Sequence, residues 1–76
     1  MSTQALPTLR NGSTSDQVTY LQEILNKINY GPLVVDGKFG PATEEAVMKF
    51  QTDFQVDPID GIVGPQTWNK LHSQID

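Results

Sequence analysis

The chain of 76 residues contains no cysteine and a single histidine, His72. Without cysteine no disulfide can form, and the thiolate ligands of many metal sites are missing. No apolar stretch approaches the roughly 20 residues that a membrane-spanning helix requires. The first residues also lack a charged segment followed by an apolar one, so no secretory signal is predicted. The composition therefore predicts no metal, no cofactor and no membrane span.

Positive charge is scarce as well, with five lysine and arginine residues against nine acidic ones and a net charge of -4. The basic side chains occur singly along the chain, at Arg10, Lys27, Lys38, Lys49 and Lys70. A surface that binds nucleic acid requires clustered basic residues. The pattern therefore argues against nucleic acid as a partner.

Motifs of catalysis are also missing. There is no Gly-x-Ser-x-Gly, no phosphate loop and no zinc-protease motif. Glu44 and Glu45 are adjacent on a predicted helix and point about 100° apart, so they do not form a facing acid–base pair. His72 has no accompanying motif and is interpreted as a residue of the surface or rim. We therefore predict no catalytic residue.

Three segments carry apolar residues at helical spacing and are separated by turn residues. Their stripes are Val18, Leu21, Leu25 and Ile28; Ala46, Val47, Phe50 and Phe54; and Trp68, Leu71 and Ile75. Ser13 and Asp16 resemble a capping box that starts the first helix. The turn at 29–32 is expected to end that helix, and Pro58 to end the second. The pattern predicts three helices after a lead-in over residues 1–8.

The turn before the second helix is repeated before the third. Residues 35–43, Val-Asp-Gly-Lys-Phe-Gly-Pro-Ala-Thr, align with residues 59–67, Ile-Asp-Gly-Ile-Val-Gly-Pro-Gln-Thr, at an offset of 24. Aspartate can accept backbone hydrogen bonds, glycine permits positive φ, and Gly-Pro leads into the helix. We interpret as structural turn residues Asp36, Gly37, Gly40, Pro41, Asp60, Gly61, Gly64 and Pro65. The alternative is that Asp36 and Asp60 accept hydrogen bonds from a ligand.

Other residues of the repeat have expected structural roles too. Phe39 and Val63 are expected to enter the core beneath their loops. Thr43 and Thr67 are expected to bond a backbone group of the first helical turn.

The repeated loops, together with Val18-x-x-Leu21-Gln22 and Val47-x-x-Phe50-Gln51, resemble the peptidoglycan-binding domain type 1 family over about residues 9–72. The resemblance implies an all-α fold, a small closed three-helix bundle over residues 9–76. The matrix metalloproteinase propeptide has a related fold but needs a cysteine, which excludes that interpretation here. The chain departs from the family pattern at Ser15, where a glycine is common, and at 57–59, where the surface is expected to differ.

The resemblance also implies a function. Such domains are non-catalytic and bind the glycan strand or the stem peptide of peptidoglycan, usually beside a cell-wall hydrolase. They act in the cell envelope or outside the cell, and we expect a monomer. The alternative is a protein-interaction domain that kept the fold and lost wall binding.

Recognition of such polar, extended ligands requires an open groove with aromatic faces and side-chain amides. The candidate ligand-binding residues are Tyr20, Tyr30, Lys38, Gln51, Gln66, Trp68 and Asn69. Two of them also have a structural interpretation. Trp68 lies on an apolar face and can be a core residue whose indole N–H bonds the backbone. Gln51, like Gln22, follows a core residue and can bond the backbone of a loop.

Overall fold

A computed structural model describes residues 6–75 of the chain. It contains the helices α1 (Asp16–Lys27), α2 (Pro41–Asp53) and α3 (Pro65–Ile75). Within residues 6–75, β-type pairing is confined to two isolated antiparallel bridges, Leu9–Val63 and Thr14–Lys38. The all-α three-helix prediction is confirmed. Residues 1–5 of the predicted lead-in and residue 76 of the predicted domain lie outside the described residues.

The predicted apolar stripes meet in one core. Its buried members are Leu9, Val18, Leu21, Ile24, Leu25, Phe39, Ala46, Val47, Phe50, Val56, Val63, Trp68 and Leu71. Phe39 and Val63 lie beneath the two repeated loops, as their apolar character predicts. Ile28, Phe54 and Ile75, the last residues of the three stripes, are only partly buried against this core. None of the helices within residues 6–75 is both long and apolar enough to cross a bilayer.

The start of α1 differs from the prediction. The N-cap is Ser15, whose side chain accepts a hydrogen bond from the Val18 N–H at 3.4 Å. Ser13 instead accepts a hydrogen bond from the Arg10 N–H at 3.1 Å within the preceding turn. The bridge between Thr14 and Lys38 precedes an extended Ser15, with φ -174° and ψ 172°. The helix therefore begins two residues later than a cap at Ser13 would allow.

The ends of α1 and α2 share a motif that the turn residues did not predict. Asn29, with φ 72°, follows α1, and Gln55, with φ 54°, follows α2. In each case the next residue donates its N–H back to the last helical turn, from Tyr30 to the Leu25 carbonyl at 2.7 Å and from Val56 to the Gln51 carbonyl at 2.9 Å. These are Schellman-type ends, with asparagine and glutamine at the position that glycine usually takes. Proline therefore does not end either helix.

Candidate ligand-binding grooves

A buried glutamine holds each repeated loop against the preceding helix. The Gln22 carboxamide oxygen accepts the N–H groups of Asp36 and Gly37 at 3.1 and 3.0 Å. Its nitrogen donates to the Lys38 carbonyl at 3.0 Å and to the Thr43 hydroxyl at 3.2 Å. One side chain from α1 therefore fixes both the loop and the first turn of α2.

Gln51 makes the same set of bonds one repeat later. Its oxygen accepts the N–H groups of Asp60 and Gly61 at 3.1 and 2.9 Å. Its nitrogen donates to the Ile62 carbonyl at 2.9 Å and to the Thr67 hydroxyl at 3.1 Å. The interpretation of both glutamines as loop-bonding residues is confirmed. Gln51 is only 1 % exposed, so its amide is turned inward rather than toward a ligand.

The two threonines differ from their predicted role. Thr43 and Thr67 are buried, and each hydroxyl accepts a hydrogen bond from a glutamine of the preceding helix. They therefore bond a side chain rather than a backbone group of their own first turn. The local sequence pattern could not show this, because Gln22 lies 21 residues from Thr43 and Gln51 lies 16 residues from Thr67.

The aspartates complete the turns from the outside. Asp36 Oδ1 accepts the Lys38 N–H at 3.0 Å, and Asp60 Oδ1 accepts the Ile62 N–H at 2.9 Å. The Lys38 N–H, followed by the Gln22 amide, lowers the pKa of the Asp36 carboxyl below its usual 3.8. Gly37 and Gly61 have φ values of 75° and 76°, where a side chain would be strained. The structural interpretation of the aspartates fits this geometry.

The aromatic candidate Trp68 belongs to the core. It is 3 % exposed, and its indole Nε1–H donates to the Pro7 carbonyl at 2.8 Å. Tyr20 lies on its outer side at 38 % exposure, with the two ring centroids 5.9 Å apart and nearly parallel. The Tyr20 hydroxyl lies 3.1 Å from His72 Nε2. Trp68 thus supports Tyr20 from within and presents little surface of its own.

An open groove runs between the end of α2 and the outer face of α3, with a volume of about 680 Å³. We call it the α3 groove; its lining residues are Phe54, Gln55, Val56, Asp57, Gln66, Asn69, Lys70 and Ser73. A smaller depression of about 300 Å³ continues from it over the second repeated loop. The two share Asp57 and Gln66. Together they offer side-chain amides and charges of both signs to an extended polar ligand.

A second groove, of about 230 Å³, lies between the end of α1 and the outer face of α2. We call it the α2 groove; its lining residues are Tyr30, Gly31, Pro32, Leu33, Ala42, Glu45, Ala46 and Lys49. The Tyr30 hydroxyl donates to Asp53 Oδ2 at 2.7 Å. Desolvation by burial, and then this bond to Asp53, raise the pKa of Tyr30 to about 12.

The candidate residues are thus distributed over several surfaces. Gln66 and Asn69 line the α3 groove together, and Tyr30 lines the α2 groove. Tyr20 is exposed on another face, and Lys38 is exposed on the first loop. Gln51 and Trp68 are buried and present almost no surface to a ligand.

Sequence reasoning missed two charged residues of the α3 groove, Asp57 and Lys70. For Asp57, the signal was the departure from the family pattern at residues 57–59. For Lys70, its position one residue after Asn69 was the only available signal.

The sequence of the chain matches a known protein family and several known proteins. Residues 14–71 match the family model described as "Putative peptidoglycan binding domain". An uncharacterized protein of Kitasatospora aureofaciens is 49 % identical over 69 residues, which cover 90 % of this chain and 58 % of that protein. The zinc D-Ala-D-Ala carboxypeptidase of Streptomyces albus G is 40 % identical over 73 residues, covering 91 % of this chain and 28 % of that enzyme. The chain therefore spans less than two thirds of these relatives.

The fold also matches solved structures. A crystal structure of a peptidoglycan-binding protein from Clostridioides difficile superposes with a TM-score of 0.87 at 34 % sequence identity. The match covers 92 % of this chain and 43 % of that one. The same arrangement of helices thus recurs as part of a larger protein.

Proposed function

The chain belongs to the family of peptidoglycan binding domains, and we propose that it attaches to cell-wall peptidoglycan through the α3 groove. The observation that supports this site is the open groove of about 680 Å³, where the amides of Gln66 and Asn69 are exposed side by side on α3. A side-chain amide both donates and accepts hydrogen bonds. Such groups suit a ligand rich in amides and hydroxyls, which are among the polar groups of peptidoglycan.

The charged side chains of the α3 groove can also bind charged groups of the ligand. The Lys70 ammonium lies 6.0 Å from the centroid of the Phe54 ring and can bind a carboxylate of a stem peptide. Asp57 can accept hydrogen bonds from an amine. We propose that the groove acts by binding alone.

The module is further proposed to bring a cell-wall hydrolase to its substrate. The carboxypeptidase to which it is 40 % identical is more than three times its length, so the matching segment is one part of that enzyme. A non-catalytic domain on the same chain, or on a partner, raises the local concentration of the catalytic part at the wall. We propose that the module acts as a monomer in this role.

Cosedimentation with purified, insoluble peptidoglycan sacculi tests the proposal, with cellulose as the control polymer. We expect the folded chain to deplete onto sacculi alone. The double variant Gln66→Ala/Asn69→Ala should bind about tenfold more weakly, because two hydrogen bonds of about 0.5–1.5 kcal/mol each are lost. Gln74→Ala, an exposed amide on the same helix outside the groove, is the matched control.

Two outcomes would contradict the proposal in different ways. A double variant that binds like Gln74→Ala would place the ligand outside the α3 groove. A wild-type chain that stays in the supernatant while circular dichroism shows it folded would rule out wall binding by the isolated module. The protein-interaction alternative would then be tested instead.

A further inference from the structure

The two grooves are related by the internal repeat. Every residue that lines the α2 groove stands 24 positions before one that lines the α3 groove. Tyr30 thus corresponds to Phe54, and Ala42 corresponds to Gln66. The offset is the same as that of the Asp-Gly loops, so one structural unit has produced both concave surfaces. The α2 groove therefore occupies the same position in the first repeat as the α3 groove does in the second.

The two grooves also adjoin each other. The rings of Tyr30 and Phe54, which are the equivalent aromatic residues, have centroids 6.4 Å apart. Both rings pack on Phe50, Tyr30 edge-on at 5.6 Å and Phe54 stacked at 4.6 Å. The two grooves therefore approach each other at these rings, so that a single polymer crossing them could contact both, as two-point attachment requires.

The residues that line the α2 groove differ in chemistry from those of the α3 groove, so we expect them to bind a different part of the ligand. Alanine at 42 and 46 replaces Gln66 and Lys70 of the α3 groove, which leaves a small apolar floor beside Tyr30. Glu45 and Lys49 stand one helical turn apart with opposite charges, so the groove has no net charge. An aromatic ring, an apolar floor and hydrogen-bonding rims suit an uncharged sugar that carries an N-acetyl group. We expect the acetyl methyl group to contact Ala42 and Ala46, and the sugar hydroxyls to face Glu45 and Lys49.

We propose that the α2 groove is a second binding site of this module and takes an N-acetylated sugar of the glycan strand. The inference rests on the proposed function, since it assigns a second contact to the same polymer. The α3 groove holds the polar or charged part of the ligand while the α2 groove holds the adjoining sugar, and the affinity for the wall depends on both.

Nuclear magnetic resonance with a soluble tetrasaccharide of alternating N-acetylglucosamine and N-acetylmuramic acid, free of stem peptides, tests the sugar site. We expect amide shifts to concentrate at residues 30–33 and 42–49. Ala42→Arg fills the groove and should abolish these shifts, whereas Gln66→Arg, the equivalent change in the other groove, should retain them. Thr52→Arg adds the same charge to an exposed position of α2 outside both grooves and is the matched control.

Binding to sacculi tests the two-point attachment. Ala42→Arg and Gln66→Arg should each lower the affinity by at least ~10-fold relative to Thr52→Arg, because each leaves a single contact. Circular dichroism checks that the variants are folded, and Glu45→Ala provides a milder change in the α2 groove. The inference is overturned if the tetrasaccharide causes no shifts at the α2 groove, or if Ala42→Arg and Glu45→Ala bind sacculi like Thr52→Arg. Loss of sacculus binding by the wild type would instead overturn the proposed function.

Discussion

Replacing Gln51 with leucine removes the side chain that fastens the second repeated loop to α2. Five hydrogen bonds of 2.9–3.4 Å are lost: two to Asp60 and one each to Gly61, Ile62 and Thr67. The Gly61 N–H is buried, and a buried donor without a partner costs about 1–3 kcal/mol. Each of the other bonds contributes about 0.5–1.5 kcal/mol net. We therefore expect Gln51→Leu to lower the free energy of unfolding by at least about 3 kcal/mol, the lower end of this range.

That loss is large for this chain. At about 0.05–0.15 kcal/mol per residue, a domain of this size has a total stability of about 4–11 kcal/mol. Urea denaturation followed by far-ultraviolet circular dichroism and by Trp68 fluorescence measures the change. Gln74→Leu replaces an exposed amide and should change stability little, which makes it the control.

A glutamate at the same position separates the donor role of Gln51 from its acceptor role. Its carboxylate would still accept from Asp60 and Gly61 but would face the Ile62 carbonyl without a proton to donate. Burial raises the pKa of the introduced carboxyl above its unfolded value, so the folded form binds a proton more tightly. The stability of Gln51→Glu relative to Gln51→Leu should therefore be greatest at acid pH and should fall as the pH rises through the folded pKa.

Two results would refute this reasoning. A Gln51→Leu protein within about 1 kcal/mol of the wild type would mean that the loop is held by other contacts. A difference between Gln51→Glu and Gln51→Leu that does not vary with pH would mean that the position is open to water.

Further predictions concern the helix end and the two perturbed ionisable groups. Gln55→Gly should stabilise the protein by about 0.5–1 kcal/mol in urea denaturation, because glycine adopts φ 54° without strain, whereas Gln55→Val should destabilise it. Tyr30 has a raised pKa, so its protonated form stabilises the fold fully below its ordinary pKa of 10.0 and the contribution is lost as the pH rises through about 12; Tyr30→Phe should lack this loss. Asp36 has a lowered pKa, so the wild-type advantage over Asp36→Asn should be present above pH 3.8 and disappear as the pH falls further.

The number of helices and the starting points of α2 and α3 could be predicted from the sequence because the signals are local, whereas the cap of α1 was placed two residues too early. Pro41 and Pro65 stand at the first positions of α2 and α3, where the missing N–H costs nothing. The ends of the helices were harder to predict from the sequence. The left-handed residues are Asn29 and Gln55, and glutamine has no marked preference for that conformation, so the Schellman ends follow from packing of the next residue on the core.

The candidate site was predicted only in part, for a related reason. Gln66 and Asn69 share a helix face and could be grouped from their spacing. Lys70 lies on the same helix, one residue after Asn69. Asp57 comes from the segment that follows α2, so its proximity depends on how α3 packs against the end of α2. Burial of Trp68 and Gln51 likewise depends on the complete fold, although both were foreseen as structural alternatives.

The repeat explains why the fold and the grooves can vary independently. The loop-holding residues are identical in both units: glutamine at 22 and 51, aspartate at 36 and 60, glycine at 37 and 61, and threonine at 43 and 67. Not one of the paired groove residues is identical, and leucine even stands opposite aspartate at 33 and 57. The glutamines and threonines that hold the loops are buried and hydrogen-bonded to each other, whereas most of the groove residues are exposed, where most substitutions cost little. Two copies of one turn can therefore keep one geometry while their grooves present different chemistry to one polymer.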